Sequence, residues 1–148
     1  MGECATSTEY ISKLLRKGAE RLEKGDLAGL IQLDQLGSHI VAFNEFHDPL
    51  VVVTGLILDF CMFGLRRGVQ VSMIRGMLPE EFRKKLEELE GDCKHAGAIV
   101  REIADLLESS SEDRERKVVE RCAKLIELGG KYTRLAYHIS GIRELREE

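Results

Sequence analysis

From Pro79 to Leu107, apolar residues recur at Phe82, Leu86, Leu89, Cys93, Ala96, Val100, Ile103 and Leu107, an unbroken alternation of four and three residues. That period belongs to a helix that buries one narrow seam, and such a seam needs a partner. Val118, Cys122, Leu125, Gly129, Tyr132, Ala136, Ile139 and Ile142 supply nearly the same rhythm, after a short serine-rich turn at Ser109 to Ser111. Glu112 and Asp113 complete overlapping capping boxes in that turn. Two long helices on a short link become antiparallel neighbours, here with residue n opposite roughly 220 minus n. The expected fold class is therefore all-α, an antiparallel bundle of about five helices dominated by a long C-terminal hairpin.

The rest of the chain adds three helices. A first, Thr8 to Lys24, sets Tyr10, Ile11, Leu14, Leu15, Gly18 and Leu22 on one side and Lys13, Arg16, Lys17 and Arg21 on the other. Gly25 can take the left-handed conformation that ends a helix and Asp26 can cap the next, so a tight hairpin follows. Its second arm, Leu27 to about His47, buries Leu30, Leu33, Leu36, Gly37, Ile40 and Phe43. Asp48 as N-cap with Pro49 at the first helical position then opens a third helix with no linker to spare. That helix is apolar on all sides as far as Leu65 and so demands cover on all sides. Gly55, Gly64, Gly68 and Gly76 each weaken an isolated helix by about 1 kcal/mol relative to alanine, and a kink or break is expected around Gly64 to Gly68. Gly129-Gly130 lies in phase with the last seam and is expected to stay helical.

At 148 residues the chain is one ordinary domain that needs no metal or disulfide to hold its core. The formal net charge of -4, with 32% charged residues, implies no general affinity for nucleic acid or anionic membrane. Cys4, Cys61, Cys93 and Cys122 form no C-x-x-C pair and read as reduced thiols of a cytoplasmic protein. Met1 to Tyr10 has no secretory pattern. The run from Leu50 to Leu65, interrupted by Asp59 and short of the roughly 20 residues of a span, reads as a buried helix, and no membrane partner is expected.

No motif that carries chemistry is present, and no catalytic residue, metal or cofactor is expected. Bundle di-metal sites use repeated Glu-x-x-His pairs, and only Asp92-Cys93-Lys94-His95 comes near that pattern. His95 and His138 fall about 20 Å apart along the hairpin, too far to share an ion. His39 and His47 lie two turns apart. Glu45, Asp48 and Asp59 crowd the most apolar region, a set from which a metal-dependent hydrolase could be built, but Asp48 is committed to capping and Glu45 is expected in water. Asp59, an acid inside Leu56 to Phe63, must be paired, protonated or at a wet edge, and a structural ion pair with Arg21, Arg66 or Arg67 is expected ahead of a functional acid. Basic stripes occur at Lys13, Arg16, Lys17 and Arg21, at Arg66, Arg67 and Arg75, and at Lys131, Arg134 and His138. Phosphate contact through Arg66, Arg67, Lys131, Arg134 and His138 is the alternative to a plain solvated face.

These features favour a non-enzymatic helical interaction or scaffold module with a possible protein partner. Binding of RNA or single-stranded DNA through a basic face ranks second and a hydrolase third. The all-round apolar third helix leaves surface that four other helices cannot cover, so a homo-oligomer is expected, most simply a twofold dimer with Phe60 and Phe63 in its interface.

Overall fold

The computed structural model describes residues 7–43 and 48–147, with side chains as far as residue 140. Cys4, Glu45 and His47 lie outside the described residues, as does the side chain of Ile142. Six α-helices follow one another: α1 (Thr8–Glu23), α2 (Ala28–Ala42), α3 (Pro49–Ser72), α4 (Glu80–Leu86), α5 (Leu89–Glu108) and α6 (Arg114–Glu147), with a 3-10 turn at Arg75–Met77. The all-α bundle with a long C-terminal hairpin is the architecture observed.

Local chemistry sets most boundaries. The Ser7 hydroxyl oxygen accepts from the Tyr10 amide and starts α1. Gly25 sits at a φ of 82°, and the Asp26 carboxylate accepts from the Ala28 amide at 3.0 Å, which closes the α1–α2 hairpin. Asp48 accepts from the Leu50 amide at 3.0 Å ahead of Pro49. The stretch expected as a single helix from Pro79 to Leu107 is instead broken at Glu87-Glu88, between α4 and α5. The backbone stays in the right-handed helical region through Glu87 and Glu88, and Glu90 and Asp92 fall in the first turn of α5, where the helix dipole favours acids. Phe82 and Leu86 stay buried across the break, in phase with Leu89 and Cys93.

The helices close into a ring in the order α1, α2, α3, α6, α5 and back to α1, with α4 at one end. The hairpin register is the expected one: Lys131 bonds Glu88 and Asp92, and Arg121 lies against Glu102. The principal partners differ from those the two seams suggest. α5 packs chiefly on α1 and α6 chiefly on α3, and the contact between α5 and α6 is the slighter one. Arg16 to Asp105 and Glu108, and Arg101 to Glu23, hold the α1–α5 edge.

Glycines mark four of the five sides of this ring. A β-carbon added at Gly29 would lie 2.9 Å from the Gly18 carbonyl oxygen, one at Gly37 2.8 Å from that of Gly55, and one at Gly97 2.9 Å from that of Ala19, while Gly64 meets Gly129 backbone to backbone. No break falls between Gly64 and Gly68, and α3 runs unbroken to Ser72. Those glycines serve contact: Gly64 admits α6, and Gly68 lies beneath the Tyr132 ring.

Candidate interaction face

Because α3 is a stave of the ring and not its axle, its chief neighbours are α2 and α6, with lesser contacts to α5 and α4, and one stripe of it meets solvent. Val53, Leu56, Phe60 and Phe63, spaced by three, four and three residues, are 37%, 51%, 41% and 47% exposed. The full cover expected for this helix is thus absent among the described residues. By length and composition α3 is also apolar enough to cross a membrane, though its inner side is packed in the bundle. Its neighbours carry the same character: α6 exposes Val119 and Ile126, and α2 exposes Ile31 and Val41, with Leu27 at its N-cap. Scattered exposed apolar residues are ordinary, but a periodic stripe flanked by others is a patch of the kind that marks an interface.

A polar island interrupts the apolar surface where α2 meets α3. Asp59, expected to be buried and paired with an arginine, is exposed and accepts a hydrogen bond from the Ser38 hydroxyl at 3.2 Å. Arg66 turns instead to Asp34 on α2, at 2.7 Å. Helix geometry exposes Asp59, which points away from α6 and the core, and the antiparallel α2 brings Ser38 opposite it and Asp34 opposite Arg66. Burial, then the neighbouring Asp59 carboxylate, pushes the Asp34 carboxyl above its ordinary value against the pull of Arg66. Beside the island runs a groove of about 340 Å³ lined by Leu27, Ile31, Arg66, Val69 and Gln70. Asp34 and Ser38 were not legible as site residues. Their one signal is a spacing of four, which stacks an acid and a hydroxyl on a single face of α2.

The structure does not bring the basic candidates together. Arg66 is occupied by Asp34; Arg67 stacks on the Phe63 ring with its Cζ 4.5 Å from the centroid and donates to the Gln70 side chain. Lys131 is held by Glu88 and Asp92; burial opposes its charge, but the two carboxylates outweigh that and keep the ammonium above its ordinary value. Arg134 and His138 are exposed one turn apart on α6. Arg16, in the first stripe, is taken by Asp105 and Glu108. Asp48, besides capping α3, is gripped by Arg114, which also donates to the carbonyl oxygens of Leu106 and Leu107. Among the described residues no three His, Cys, Asp or Glu side chains converge as a metal site would require. Cys61, Cys93 and Cys122 are buried free thiols.

Fold and site together define a five-stave α-helical bundle with an apolar outer face on α2, α3 and α6. No protein-family model, curated protein or solved structure matches the chain.

Proposed function

We propose that this protein is a non-enzymatic helical interaction module that associates with a second copy of itself through the outer face of α3. The observation that carries the reading is the exposed stripe Val53, Leu56, Phe60 and Phe63. A stripe with three-four spacing is the seam one helix offers another of the same period, so its simplest complement is the same stripe related by a twofold axis. Taking in the near sides of α2 and α6, at helix spacings of about 9 Å and a seam of about 15 Å plus side chains, the face amounts to something on the order of 500 Å². That approaches the roughly 800 Å² per partner of a standard interface. The nucleic-acid alternative draws less support, because Arg66, Arg67 and Lys131 are engaged within the protein.

Light scattering after gel filtration at micromolar concentration tests the reading. The expected mass is twice 16.7 kDa, falling to the monomer on Phe60→Asp or Phe63→Asp with helicity retained. A monomer mass that persists on concentration overturns it, and a monomer that sediments with lipid vesicles would assign the face to a membrane instead.

A further inference from the structure

We propose that a cavity at the end of the bundle, where α3 finishes and α5 begins, binds a small zwitterion with an apolar body, of the class of a short apolar peptide with free amino and carboxyl ends. None of the four stripe residues of α3 lines this cavity, so the site does not depend on self-association. The cavity measures about 440 Å³, within the range of about 300 to 1,000 Å³ usual for small-ligand sites. The α1–α2 turn walls it with Leu27, the end of α3 and the 3-10 turn with Val69 and Arg75, and the α4–α5 break with Leu86, Glu87 and Leu89. Leu86 and Leu89 are buried and Val69 is packed against the core, so the floor is apolar and favours a ligand body that releases water from it.

The charges on the rim choose the ligand. Arg75, Glu87 and Glu90 line the cavity, and Glu90 is paired with Lys94 at 3.3 Å. Arg75 reaches only the carbonyl oxygen of Ser72, through Nε at 3.5 Å, and the Glu87 side chain has no partner, so among the described residues neither belongs to an ion pair. A guanidinium and a carboxylate thus face one cavity from different elements, each with its charge uncommitted. The guanidinium suits a carboxylate, which its planar fork can hold by two N–H donors. The Glu87 carboxylate suits an ammonium. A simple anion would meet repulsion from Glu87 and a simple cation repulsion from Arg75, whereas a zwitterion answers both.

The spacing narrows the class. Arg75 and Glu87 do not pair with each other, so ligand charges set apart by a peptide unit fit them better than the two charges of a single amino acid, which share one carbon. A dipeptide also brings two side chains to the apolar floor.

The test is calorimetric titration of the full chain with the dipeptide Leu-Leu, with amide chemical shifts recorded alongside. Saturable binding is expected, with shifts centred on Leu27, Val69 and Leu89. N-acetyl-Leu-Leu, which lacks the ammonium, and Leu-Leu amide, which lacks the carboxylate, should each bind about tenfold or more weakly than Leu-Leu. Gly-Gly, without an apolar body, should bind more weakly still. Glu87→Gln should weaken Leu-Leu and erase its advantage over the acetylated form, and Arg75→Gln should do the same against the amide. Both side chains are exposed, so helicity should be retained in circular dichroism. Arg116→Gln, a largely exposed cation at the opposite end of the α5–α6 hairpin, should leave the affinity unchanged. No saturable binding of Leu-Leu by wild type up to about 10 mM overturns the proposal. So does an affinity that ignores the blocked ends and both rim substitutions, or one equalled by Gly-Gly. The mass of the protein in solution, which tests self-association, decides nothing about this site.

Discussion

Gly64 of α3 lies directly against Gly129 of α6: a β-carbon on Gly64 would sit 2.7 Å from the Gly129 carbonyl carbon and 2.8 Å from its Cα, closer than real β-carbons come to backbone. A small residue in a helix, usually a weakness, is here what allows two backbones to touch and sets the distance between the staves that frame the exposed face.

Gly64→Ala should therefore destabilise the protein by about 1 to 3 kcal/mol through overpacking, despite a helix-propensity gain of about 1 kcal/mol. Gly91→Ala, in α5 with nothing within 4 Å of the added methyl, should stabilise by up to about 1 kcal/mol. Urea melts of the two variants should shift in opposite directions, and parallel shifts would refute the close-contact account.

Ile103, fully buried on the α5 seam, should not tolerate aspartate: an unpaired charge there costs several kcal/mol against a total stability of about 5 to 15. Glu90→Ala, at a side chain 80% exposed beside Lys94, should change stability by no more than about 0.5 kcal/mol. Equal melting temperatures for Ile103→Asp and Glu90→Ala would contradict the seam.

Arg114 joins three elements, holding the N-cap Asp48 of α3 and the last carbonyls of α5 from the first residue of α6. Its ion pair is mostly sheltered, so Arg114→Ala should cost about 1.5 to 3 kcal/mol. Arg116→Ala, two residues on and largely exposed, should cost under about 1 kcal/mol. Thermal melts of the pair, read side by side, check the difference.

Three buried thiols make alkaline pH destabilising. Burial pushes Cys61 up to about 12; burial, then Asp92 and Glu90, push Cys93 up to about 11; and burial raises Cys122. In the unfolded chain thiols ionise near about 8.5. Above that value the unfolded state has lost protons that the folded state keeps, so stability is complete below about pH 8.5 and declines as pH rises through 11 to 12. Each thiol contributes a slope on the order of 1 kcal/mol per pH unit. Urea midpoints at pH 7, 8.5 and 10 should fall progressively, and Cys61→Ala should flatten the decline.

What the sequence determined by itself is local. Capping chemistry placed Asp26, Asp48 and Pro49, left-handed glycine closed the first hairpin, and the three-four rhythm fixed which face of α5 and α6 is dry and how they register. These depend on residues a few positions apart, or on one short turn, so they can be read along the chain. Which dry face meets which was decided in three dimensions. The seams of α5 and α6 match in period, yet each found a larger contact, on α1 and α3, because period names a face without naming its partner. The apolar third helix carries no polar side to orient it, so only its place in the ring, admitted by Gly64 against Gly129 and Gly37 against Gly55, decided that Phe60 and Phe63 face outward. The same placement exposed Asp59 beside Ser38 and gave Arg66 to Asp34, because the antiparallel packing of α2 on α3, and no pattern within either helix, brings those four side chains to one edge.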